Sequence, residues 1–574
     1  MENVKLIPYG ISNFLQVRKE NKYYSDKTYF LEKMELAGNF LFIVRPRRFG
    51  KSIFVSMMRA YYDINEKHNF EKNFSGLYVY EHPTKEMGQY QVLFLDFSQV
   101  GGDSKTAQAN FETYGCNQLD RFAIAYSRYY DKYFVNEVKE RTTFASKLTW
   151  IVGAAHAAGY QLYLIIDEYD NFTNDILNQE GKDVYRNVTH STGFYRDVFK
   201  LFKPNFTRIL MMGVTPVTLD DLTSGFNIAT NISLDYLYDT MLGFSEEDVC
   251  KMIRYYKNFG LIKADEDDLI ADMKPWYDNY CFAEESLNRD PNMFNTDMVC
   301  YYLDYYIKHG HAPKQLIDPN AMTDYKKLKN LVSIDSLDNR RLNIINTIAE
   351  QGYIYGTVKR SFPAERIADE DNFVSLLYYY GMLTIIGSRG AMLKLGIPNN
   401  NVRLQYYDYL MDEYERIAHV DTYPLNIAYM KAAYDGNWMS MIDTLTDAYR
   451  DNASVRSLIE GERNFQGFMS AFFSLNPYYL VAPEVELNHG YCDFFFLPDH
   501  RRYPEVAHSY IIELKYLKKD ATDADAVKQW DEAVEQIKGY AQGKIVQQLL
   551  DGTSLHLLVV QIKGYERIKA EEVL

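Results

Sequence analysis

Cysteine is scarce in this sequence, and long hydrophobic runs are missing. Only 5 cysteines occur among 574 residues, and none of them forms a CxxC pair. An odd and dispersed set of this kind argues against a disulfide framework and against a cysteine-based zinc site. No apolar run reaches the roughly 18 residues of a membrane span, and the first residues lack a signal-peptide pattern. We therefore expect a cytoplasmic protein without a membrane partner.

Positive charge is also in short supply. The chain has 62 lysines and arginines against 78 aspartates and glutamates, a formal net charge of −16. Such a chain is not drawn to nucleic acid by its overall charge, so any nucleic-acid binding must use a local basic surface. The length and the 47% hydrophobic content are sufficient for several cores. A prior of about one domain per 150 residues predicts three or four domains.

Continuous apolar runs in the first 240 residues predict a parallel sheet. The runs are residues 40–44, 92–97, 162–167 and 208–214. They do not alternate with polar residues, and the stretches between them are long enough for helical crossovers, as is typical of parallel strands covered on both faces. We expect a doubly wound α/β domain here. From residue 242 the pattern becomes helical, with Ser245 and Asp248 at the spacing of a capping box.

The first of these runs leads into a phosphate-binding motif. Residues 39–52 read NFLFIVRPRRFGKS, which places Gly50, Lys51 and Ser52 at the expected start of a helix. In the P-loop pattern GxxxxGK[ST], backbone N–H groups cradle phosphates, the lysine reaches the β/γ oxygens and the hydroxyl binds Mg²⁺. Arg45 stands where the pattern has its first glycine. The strict motif is therefore not met. Whether this is a nucleotide site must be judged from the residues at the ends of the other predicted strands.

Two other strand ends carry polar residues that suit a nucleotide. The third run ends in Asp167 and Glu168, and the fourth is followed by Thr215. Open α/β sheets bind ligands at the carboxyl ends of their strands. An aspartate there can hold Mg²⁺, the glutamate can orient or deprotonate a water, and the threonine can sense the γ-phosphate. The alternative is a solvated strand end beside an ordinary helix start.

The last 120 residues follow a different order of elements. A helix (459–473) precedes three strands (478–487, 492–498 and 509–517), then a helix (525–543) and a final strand (556–562). On the third strand, Glu513 and Lys515 point to one face. Asp493 on the preceding strand can complete a carboxylate pair for Mg²⁺. Rival acids are Glu484, Glu486 and Glu460.

Six stretches resemble the AAA-ATPase-like family found in many bacteria. They are residues 7–28, 44–52, 164–170, 242–249, 276–282 and 376–385. The family typically has an arginine-rich P-loop of the RPRRFGKS kind, so Arg45 is expected. The resemblance implies that Lys51 contacts β/γ phosphates, that Ser52 and Asp167 bind Mg²⁺, and that Glu168 acts on the water. The nucleotide site implied in this way also includes Arg45, Arg47, Arg48, Phe49, Gly50 and Thr215.

The roles of Arg47 and Arg48 have two possible interpretations. Both arginines lie about one turn before the predicted helix, where charge-assisted contacts to phosphate are available. Salt bridges to neighbouring carboxylates are an equally good explanation. The sequence leaves both open.

The motifs GxxD (490–493), ExK (513–515) and QxxxY (536–540) resemble those of the PD-(D/E)xK nucleases. The resemblance implies a Mg²⁺ or Mn²⁺ site formed by Glu462, Asp493, Glu513 and Leu514. Lys515 would position the attacking water or neutralise charge in the transition state. Gln536 and Tyr540 would contact the substrate backbone or brace the site. Tyr491 stands where the family often has an arginine, which weakens the substrate-binding expectation more than the metal site.

Helices and a small hairpin between residues 336 and 400 are similar to a winged helix. Few basic residues lie in its second helix, which favours packing over DNA binding. The predicted domains are an AAA-ATPase-like P-loop domain (1–240), a helical lid (241–335), a winged-helix-like unit (336–400), a helical connector (401–455) and a PD-(D/E)xK nuclease-like domain (456–574).

These expectations combine into one hypothesis. The chain binds and hydrolyses ATP, and its nucleotide state regulates a Mg²⁺-dependent nuclease that acts on nucleic acid, with DNA favoured over RNA. Homo-oligomerisation is left open. The rival hypothesis is a signalling or scaffold protein that binds nucleotide and carries a degenerate, non-cleaving nuclease fold.

Overall fold

The computed structural model places the described residues in two compact units. The first contains the described parts of Met1–Met322 and Tyr355–Asn399, and the second those of Leu337–Ile354 and Asn400–Leu574. The description covers residues 4–573 except 172–173, 175, 177–192, 217–228, 290–291, 319–338, 364–365, 367–368, 419–421, 452–461, 488–489, 544–545, 547–548 and 551. Within the described residues, no helix is both long and apolar enough to cross a membrane.

The first unit alternates helices and strands over its N-terminal two thirds. Its strands are β1 (Phe40–Val44), β2 (Tyr90–Asp96), β3 (Gln161–Asp167), β4 (Arg208–Gly213) and β5 (Thr230–Asn231). Its helices up to residue 309 are α1 (Phe14–Lys19), α2 (Phe30–Ala37), α3 (Lys51–Tyr62), α4 (Phe70–Phe74), α5 (Tyr78–Glu81), α6 (Ala107–Ala125), α7 (Phe134–Lys139), α8 (Phe144–Ala157), α9 (Phe194–Phe202), α10 (Glu246–Asn258), α11 (Glu266–Tyr277) and α12 (Thr296–His309).

The predicted parallel sheet is confirmed. The described strands form one sheet in the order β2-β3-β4-β1-β5, and the neighbouring strands pair in parallel. Strand β4 is buried along its whole length, and β3 is buried from Leu162 onward. This burial explains why the strands are continuous apolar runs and not alternating ones. The order places β1, which leads into the P-loop, between β4 and β5, and β3 directly beside β4.

Helix α10 begins with the capping box that the sequence predicts. The Ser245 hydroxyl accepts from the Asp248 N–H over 3.2 Å, and the Asp248 carboxylate accepts from the Ser245 N–H over 2.9 Å. The Lys27 ammonium also binds the Asp248 carboxylate, over 2.7 Å. The cap therefore satisfies orphan N–H groups and ties the helical region to the N-terminal segment.

The chain between residues 339 and 396 has the helices and the hairpin that the sequence indicates. Its elements are α13 (Asn339–Gln351), β6 (Tyr353–Gly356), α14 (Glu370–Tyr379), β7 (Thr384–Arg389) and β8 (Met392–Gly396). The three strands form a small sheet in the order β6-β8-β7. The division into compact units runs through this region, because α13 belongs to the second unit and the hairpin to the first.

The second unit ends in a mixed sheet. Its remaining elements are α15 (Asn400–Ala418), α16 (Thr422–Asp435), α17 (Met439–Asp451), α18 (Glu462–Phe473), β9 (Tyr479–Leu487), β10 (Gly490–Pro498), β11 (His508–Leu517), α19 (Asp523–Ala541), β12 (Ser554–Lys563) and β13 (Glu566–Glu572). The order is β13-β12-β11-β10-β9, with β11 and β12 parallel and the other neighbours antiparallel. The predicted sequence of helix, three strands, helix and strand is present, followed by an additional edge strand, β13.

Helix α19 packs on one face of this sheet. Trp530, Ala533, Ile537 and Tyr540 of the helix share a core with Cys492, Phe495, Ile511 and Val559 of the strands. Residues at every second position of β11 point to the same face. The face of β11 that carries Ile511 therefore also carries Glu513 and Lys515, at the carboxyl end of the strand.

Candidate functional site

The P-loop connects β1 to α3 through a tight turn. Arg48 and Gly50 both have left-handed backbone conformations, with φ of 68° and 81°. Gly50 is the residue that precedes the first turn of α3. Glycine adopts this conformation without a steric penalty, which explains its presence at the motif position just before the lysine. The turn brings the N-terminus of α3 to the carboxyl edge of the parallel sheet.

Lys51 and Ser52 meet the strand end that carries Asp167. The Lys51 ammonium donates to the carbonyl oxygens of Arg45 and Pro46 over 3.1 and 2.9 Å. The Ser52 hydroxyl donates to Oδ2 of Asp167 over 2.9 Å. The structure thus brings together the two sequence motifs that were predicted to share a nucleotide.

Burial makes the charges of Lys51 and Asp167 costly. Asp167 is 3% exposed, and burial, with a further contribution from the Glu168 charge, raises its pKa to about 6. Burial lowers the pKa of Lys51, although the carboxylates of Glu168 and Asp167 oppose that shift. A hydroxyl and a carboxylate oxygen are the ligands that Mg²⁺ takes, and an ammonium group suits phosphate oxygens. The residues therefore fit a Mg²⁺–nucleotide.

Glu168 is partly exposed and adopts a left-handed backbone conformation, with φ of 52°. Its N–H donates to Oδ1 of Asp167 over 3.0 Å. A non-glycine residue in this conformation is uncommon, and such residues concentrate at functional sites. Glu168 follows Asp167 at the sheet edge, in the position expected of a residue that acts on water.

Thr215 has a different environment from the one predicted. It is 0% exposed, and both its N–H and its hydroxyl donate to Oδ2 of Asp170, over 2.8 and 2.9 Å. Asn174 lies 3.4 Å from the same hydroxyl. As placed, Thr215 joins the end of β4 to the segment after β3, and its contact with a γ-phosphate stays a prediction. The sequence pattern assigns no role to Asp170, the last residue of DEYD.

Arg45 is buried behind the P-loop. It is 2% exposed, and its guanidinium donates to the carbonyl oxygens of Val44, Ser233 and Tyr238 over 3.0, 2.6 and 3.2 Å. The guanidinium carbon also lies 4.3 Å from the ring centroid of Phe282, a cation–π distance. These contacts use the planar donor fork of arginine to bind backbone. Arg45 therefore supports the loop from inside the fold, which is not the phosphate contact that the resemblance implies.

Arg48 forms an ion pair with Asp297, at the start of α12. The Asp297 N–H in turn donates to the Arg48 carbonyl oxygen over 3.4 Å. Of the two interpretations of Arg48, the structure shows the salt bridge. Arg47 is partly exposed on the same loop, and its two readings stay open.

Three of the sequence stretches that resemble the family meet at the P-loop. The ring of Phe49 packs edge-on against Tyr280 and Phe282 at centroid distances of 4.9 and 5.4 Å. The Gly243 N–H donates to the Phe49 carbonyl oxygen over 2.9 Å. A Cβ atom at Gly381 would lie 2.9 Å from Cβ of Pro46. Residues that lie far apart in the sequence therefore form the wall of this loop, and Phe49 is part of that wall.

In the second unit, Glu513 and Lys515 of β11 form an ion pair. The Lys515 ammonium lies 2.7 Å from Oε1 of Glu513. Glu513 is 3% exposed, and its Oε2 is buried without a hydrogen-bond partner among the described residues. Burial raises the pKa of Glu513, although the Lys515 charge and the Asp493 N–H oppose the shift. A buried carboxylate oxygen without a partner is costly, and a divalent cation would satisfy it.

Asp493 of β10 lies beside this pair and accepts two hydrogen bonds. The backbone N–H of Leu514 donates to Oδ2 over 2.6 Å, and the Gln466 side chain donates to Oδ1 over 2.9 Å. The predicted constellation of Asp493, Glu513 and Lys515 is therefore assembled. Sequence reasoning missed Gln466, whose only sequence signal is its place in the helix that begins at Glu462.

Tyr540 of α19 lies in the core that contains Cys492, close enough to Glu513 and Asp493 for their charges to affect it. The pKa of the Tyr540 hydroxyl is raised. Burial is the largest cause, and the charges of Glu513 and Asp493 add to it. Its hydroxyl therefore stays protonated and can donate to an anionic group. Gln536, one turn earlier, is exposed to solvent.

Several predicted residues cannot be placed in this site. The side chains of Glu462, Glu484, Glu486 and Tyr491 lie outside the described residues, as does Glu460. Leu514 has a buried side chain, and its role as a metal ligand stays a prediction. In the part of the chain that is described, no group of three or more His, Cys, Asp or Glu side chains has the geometry to hold a metal ion.

Comparison with known proteins finds a family similarity for a part of each unit. Residues 8–223 match the model for predicted AAA-ATPases, and residues 460–572 match the model for the PD-(D/E)XK nuclease superfamily. The chain joins an AAA-ATPase-like region to a PD-(D/E)XK nuclease-like region. This is the architecture expected from the sequence. The two matches also support ATPase and nuclease potential in the corresponding regions.

A curated protein is also similar to part of this chain. It comes from Azotobacter chroococcum mcd 1, is described as an uncharacterized protein in the vnfD 5′ region, and is 27% identical over 331 residues. The match covers 55% of this chain and 56% of the relative. The chain therefore spans little more than half the length of that protein.

Proposed function

We propose that this AAA-ATPase-like, PD-(D/E)XK nuclease-like protein cleaves phosphodiester bonds of nucleic acid with a divalent cation. The observation that carries the proposal is Oε2 of Glu513, which is buried beside Asp493 and Lys515 and has no hydrogen-bond partner among the described residues. A Mg²⁺ or Mn²⁺ ion held by the two carboxylates would polarise the phosphodiester and promote ionisation of a water.

The protein's own residues have distinct tasks in this reaction. Glu513 and Asp493 supply the negative oxygens that bind the cation. Lys515, whose ammonium lies 2.7 Å from Glu513, orients the attacking water or stabilises the extra negative charge of the transition state. Tyr540 stays protonated beside the acids and donates a hydrogen bond to the substrate or to the site. DNA is the favoured substrate and RNA the alternative.

We also propose that the first unit binds and hydrolyses ATP and that its nucleotide state regulates cleavage. Support comes from the hydrogen bond between Ser52 and Asp167, which places a hydroxyl, a carboxylate and the Lys51 ammonium at one sheet edge. Lys51 would bind phosphate oxygens, and Ser52 and Asp167 would hold Mg²⁺. Glu168 would orient the attacking water.

A cleavage assay with and without ATP tests both parts. Plasmid DNA and RNA oligonucleotides are incubated with Mg²⁺ and wild type, Lys51→Ala, Lys515→Ala or the exposed control Lys528→Ala. We expect Lys515→Ala to lower the cleavage rate about 100-fold or more, and Lys51→Ala to remove the response to ATP. Undiminished cleavage by Lys515→Ala would overturn the nuclease, and an unchanged ATP response in Lys51→Ala would overturn the coupling.

A second candidate is a nucleotide-binding scaffold with a non-cleaving nuclease fold. The net charge of −16 favours it, because a nuclease must attract a polyanion. Absence of Mg²⁺ and Mn²⁺ binding by the wild-type protein, together with absence of cleavage, would support this candidate.

A further inference from the structure

Gln466 lies on α18, a helix that packs against the C-terminal sheet. Its neighbour Phe465 and the later Phe473 are 0% exposed. The ring of Phe473 packs edge-on against Phe494 and Phe496 of β10, with both centroid distances 5.0 Å. Gln466 itself is half-buried. The backbone that carries its amide is therefore held in a fixed place relative to β10.

The amide of Gln466 and the backbone of β11 hold the two oxygens of Asp493 from different elements. Nε2 of Gln466 donates to Oδ1 over 2.9 Å, and the Leu514 N–H donates to Oδ2 over 2.6 Å. Two donors at the two ends of a carboxylate fix its rotation about the last side-chain bond. A carboxylate offers about four lone-pair positions, so the hydrogen bonds from Gln466 and Leu514 do not by themselves prevent Asp493 from binding a cation.

The chemistry of an amide suits this place. An arginine or lysine at residue 466 would also donate to Asp493, but its charge would cancel part of the negative field that attracts a divalent cation. Lys515 already brings one positive charge to Glu513. A neutral donor orients the carboxylate and leaves the charge of the acid pair intact. Donors in this outer position typically affect metal affinity strongly.

We propose that Gln466 is a positioning residue that orients Asp493 for the divalent cation, an inference that rests on the proposed nuclease function. Gln466 touches neither substrate nor cation in this account. Its effect should therefore appear in metal affinity more than in the rate at saturating metal.

The test measures Mn²⁺ binding to the full chain by titration calorimetry, without substrate, and Mg²⁺-dependent cleavage in parallel. Gln466→Met removes the donor at similar volume, and Gln466→Asn keeps an amide that is one methylene too short. Ser470→Ala is the control, because the Ser470 hydroxyl donates to the backbone carbonyl oxygen of Gln466, one turn away, and its removal leaves the Gln466 amide in place. We expect both Gln466 variants to bind Mn²⁺ about 10- to 100-fold more weakly. The cleavage rate at saturating Mg²⁺ should fall much less, and the control should match wild type.

The outcomes separate this inference from the nuclease proposal. Equal Mn²⁺ affinity in wild type and both Gln466 variants would overturn the role of Gln466 and leave the nuclease standing. A wild type that neither binds Mn²⁺ nor cleaves would overturn the nuclease proposal itself. Loss of circular dichroism signal in both variants would also overturn the positioning role, because it would make Gln466 a folding residue.

Discussion

The hydroxyl of Ser52 donates a hydrogen bond to the carboxylate of Asp167 over 2.9 Å, across 115 residues of sequence. It joins the first turn of α3 to the end of β3. The Asp167 carboxylate is buried, and burial, with a further contribution from the Glu168 charge, raises its pKa to about 6. Ionised Asp167 therefore carries an electrostatic cost in the folded protein.

This cost predicts that Asp167→Asn stabilises the nucleotide-free protein. An aspartate has a pKa of about 3.9 when unfolded, so a folded pKa of about 6 means that the native state holds its proton more tightly. The penalty is fully present above pH 6 and disappears as the pH falls towards 4. A shift of roughly two units corresponds to about 3 kcal/mol at most.

Urea unfolding without nucleotide or Mg²⁺ checks the prediction at pH 8 and pH 4.5. The stabilisation should be seen at pH 8 and be mostly lost at pH 4.5. Asp267→Asn, at an exposed aspartate of α11, is the control for the substitution itself. A destabilised Asp167→Asn protein at pH 8 would contradict the account.

Arg45→Gly restores the first glycine of the P-loop pattern, yet we expect it to damage the protein. The substitution leaves the carbonyl oxygens of Ser233 and Tyr238 without their donor and removes the contact with the Phe282 ring. Losing several buried hydrogen bonds should cost about 3 kcal/mol or more. Thermal unfolding gives the measurement, with Arg45→Lys as a partial replacement that keeps the charge and loses the donor fork. Tighter ATP binding by a stable Arg45→Gly protein would show that the arginine has no structural role.

Lys51→Met should remove most ATP affinity while leaving the nucleotide-free fold intact. The ammonium of Lys51 is held by two backbone carbonyls of the P-loop, which places it where phosphate oxygens would bind. A charge-assisted hydrogen bond contributes about 1.5 to 3 kcal/mol, so affinity should fall about 10- to 100-fold. Equilibrium binding of a fluorescent ATP analogue measures the change. Lys85→Ala, at an exposed position, is the control, and equal affinity in Lys51→Met and wild type would exclude the phosphate role.

The ion pair between Arg48 and Asp297 predicts that Arg48 has a structural role and does not bind phosphate. Both side chains are partly exposed, at 25% and 21%, so their coupling should be about 1 kcal/mol or less. A double-mutant cycle of Arg48→Ala and Asp297→Ala measures it in unfolding experiments. If the pair is structural, Arg48→Ala changes ATP affinity little. A large loss of ATP affinity in Arg48→Ala alone would assign the arginine to the phosphates.

The sequence predicts the elements of this protein better than it predicts their side-chain directions. Strands β1 to β4 are visible as continuous apolar runs because both of their faces are covered. Strand β5, with two residues, and the charged edge strand β13 have no such pattern. Their pairing depends on neighbours already in place, so local sequence cannot reveal them.

The same limit applies to individual site residues. Thr215 follows a strand at the correct sheet edge, but Asp170 binds its hydroxyl inside the fold. Arg45 is charged but buried. Carbonyl groups and an aromatic ring from residues 233–282 bind its guanidinium inside the fold. Gln466 belongs to no motif, and only the packing of α18 on β10 brings it to Asp493. Contacts between distant segments decide all of these cases.

The most direct test of the central claim is metal-dependent cleavage by Glu513→Gln. The substitution keeps the size of the side chain and removes the charge of the carboxylate, whose Oε2 is buried without a hydrogen-bond partner in the described part of the chain. Glu571→Gln makes the same change at an exposed glutamate of β13. Single-turnover cleavage of a DNA duplex is followed with increasing Mg²⁺ for wild type and both variants. We predict that wild type and Glu571→Gln cleave the duplex and that EDTA abolishes this cleavage. We predict that Glu513→Gln cleaves at least about 100-fold more slowly. Equal cleavage by Glu513→Gln and wild type would contradict the account.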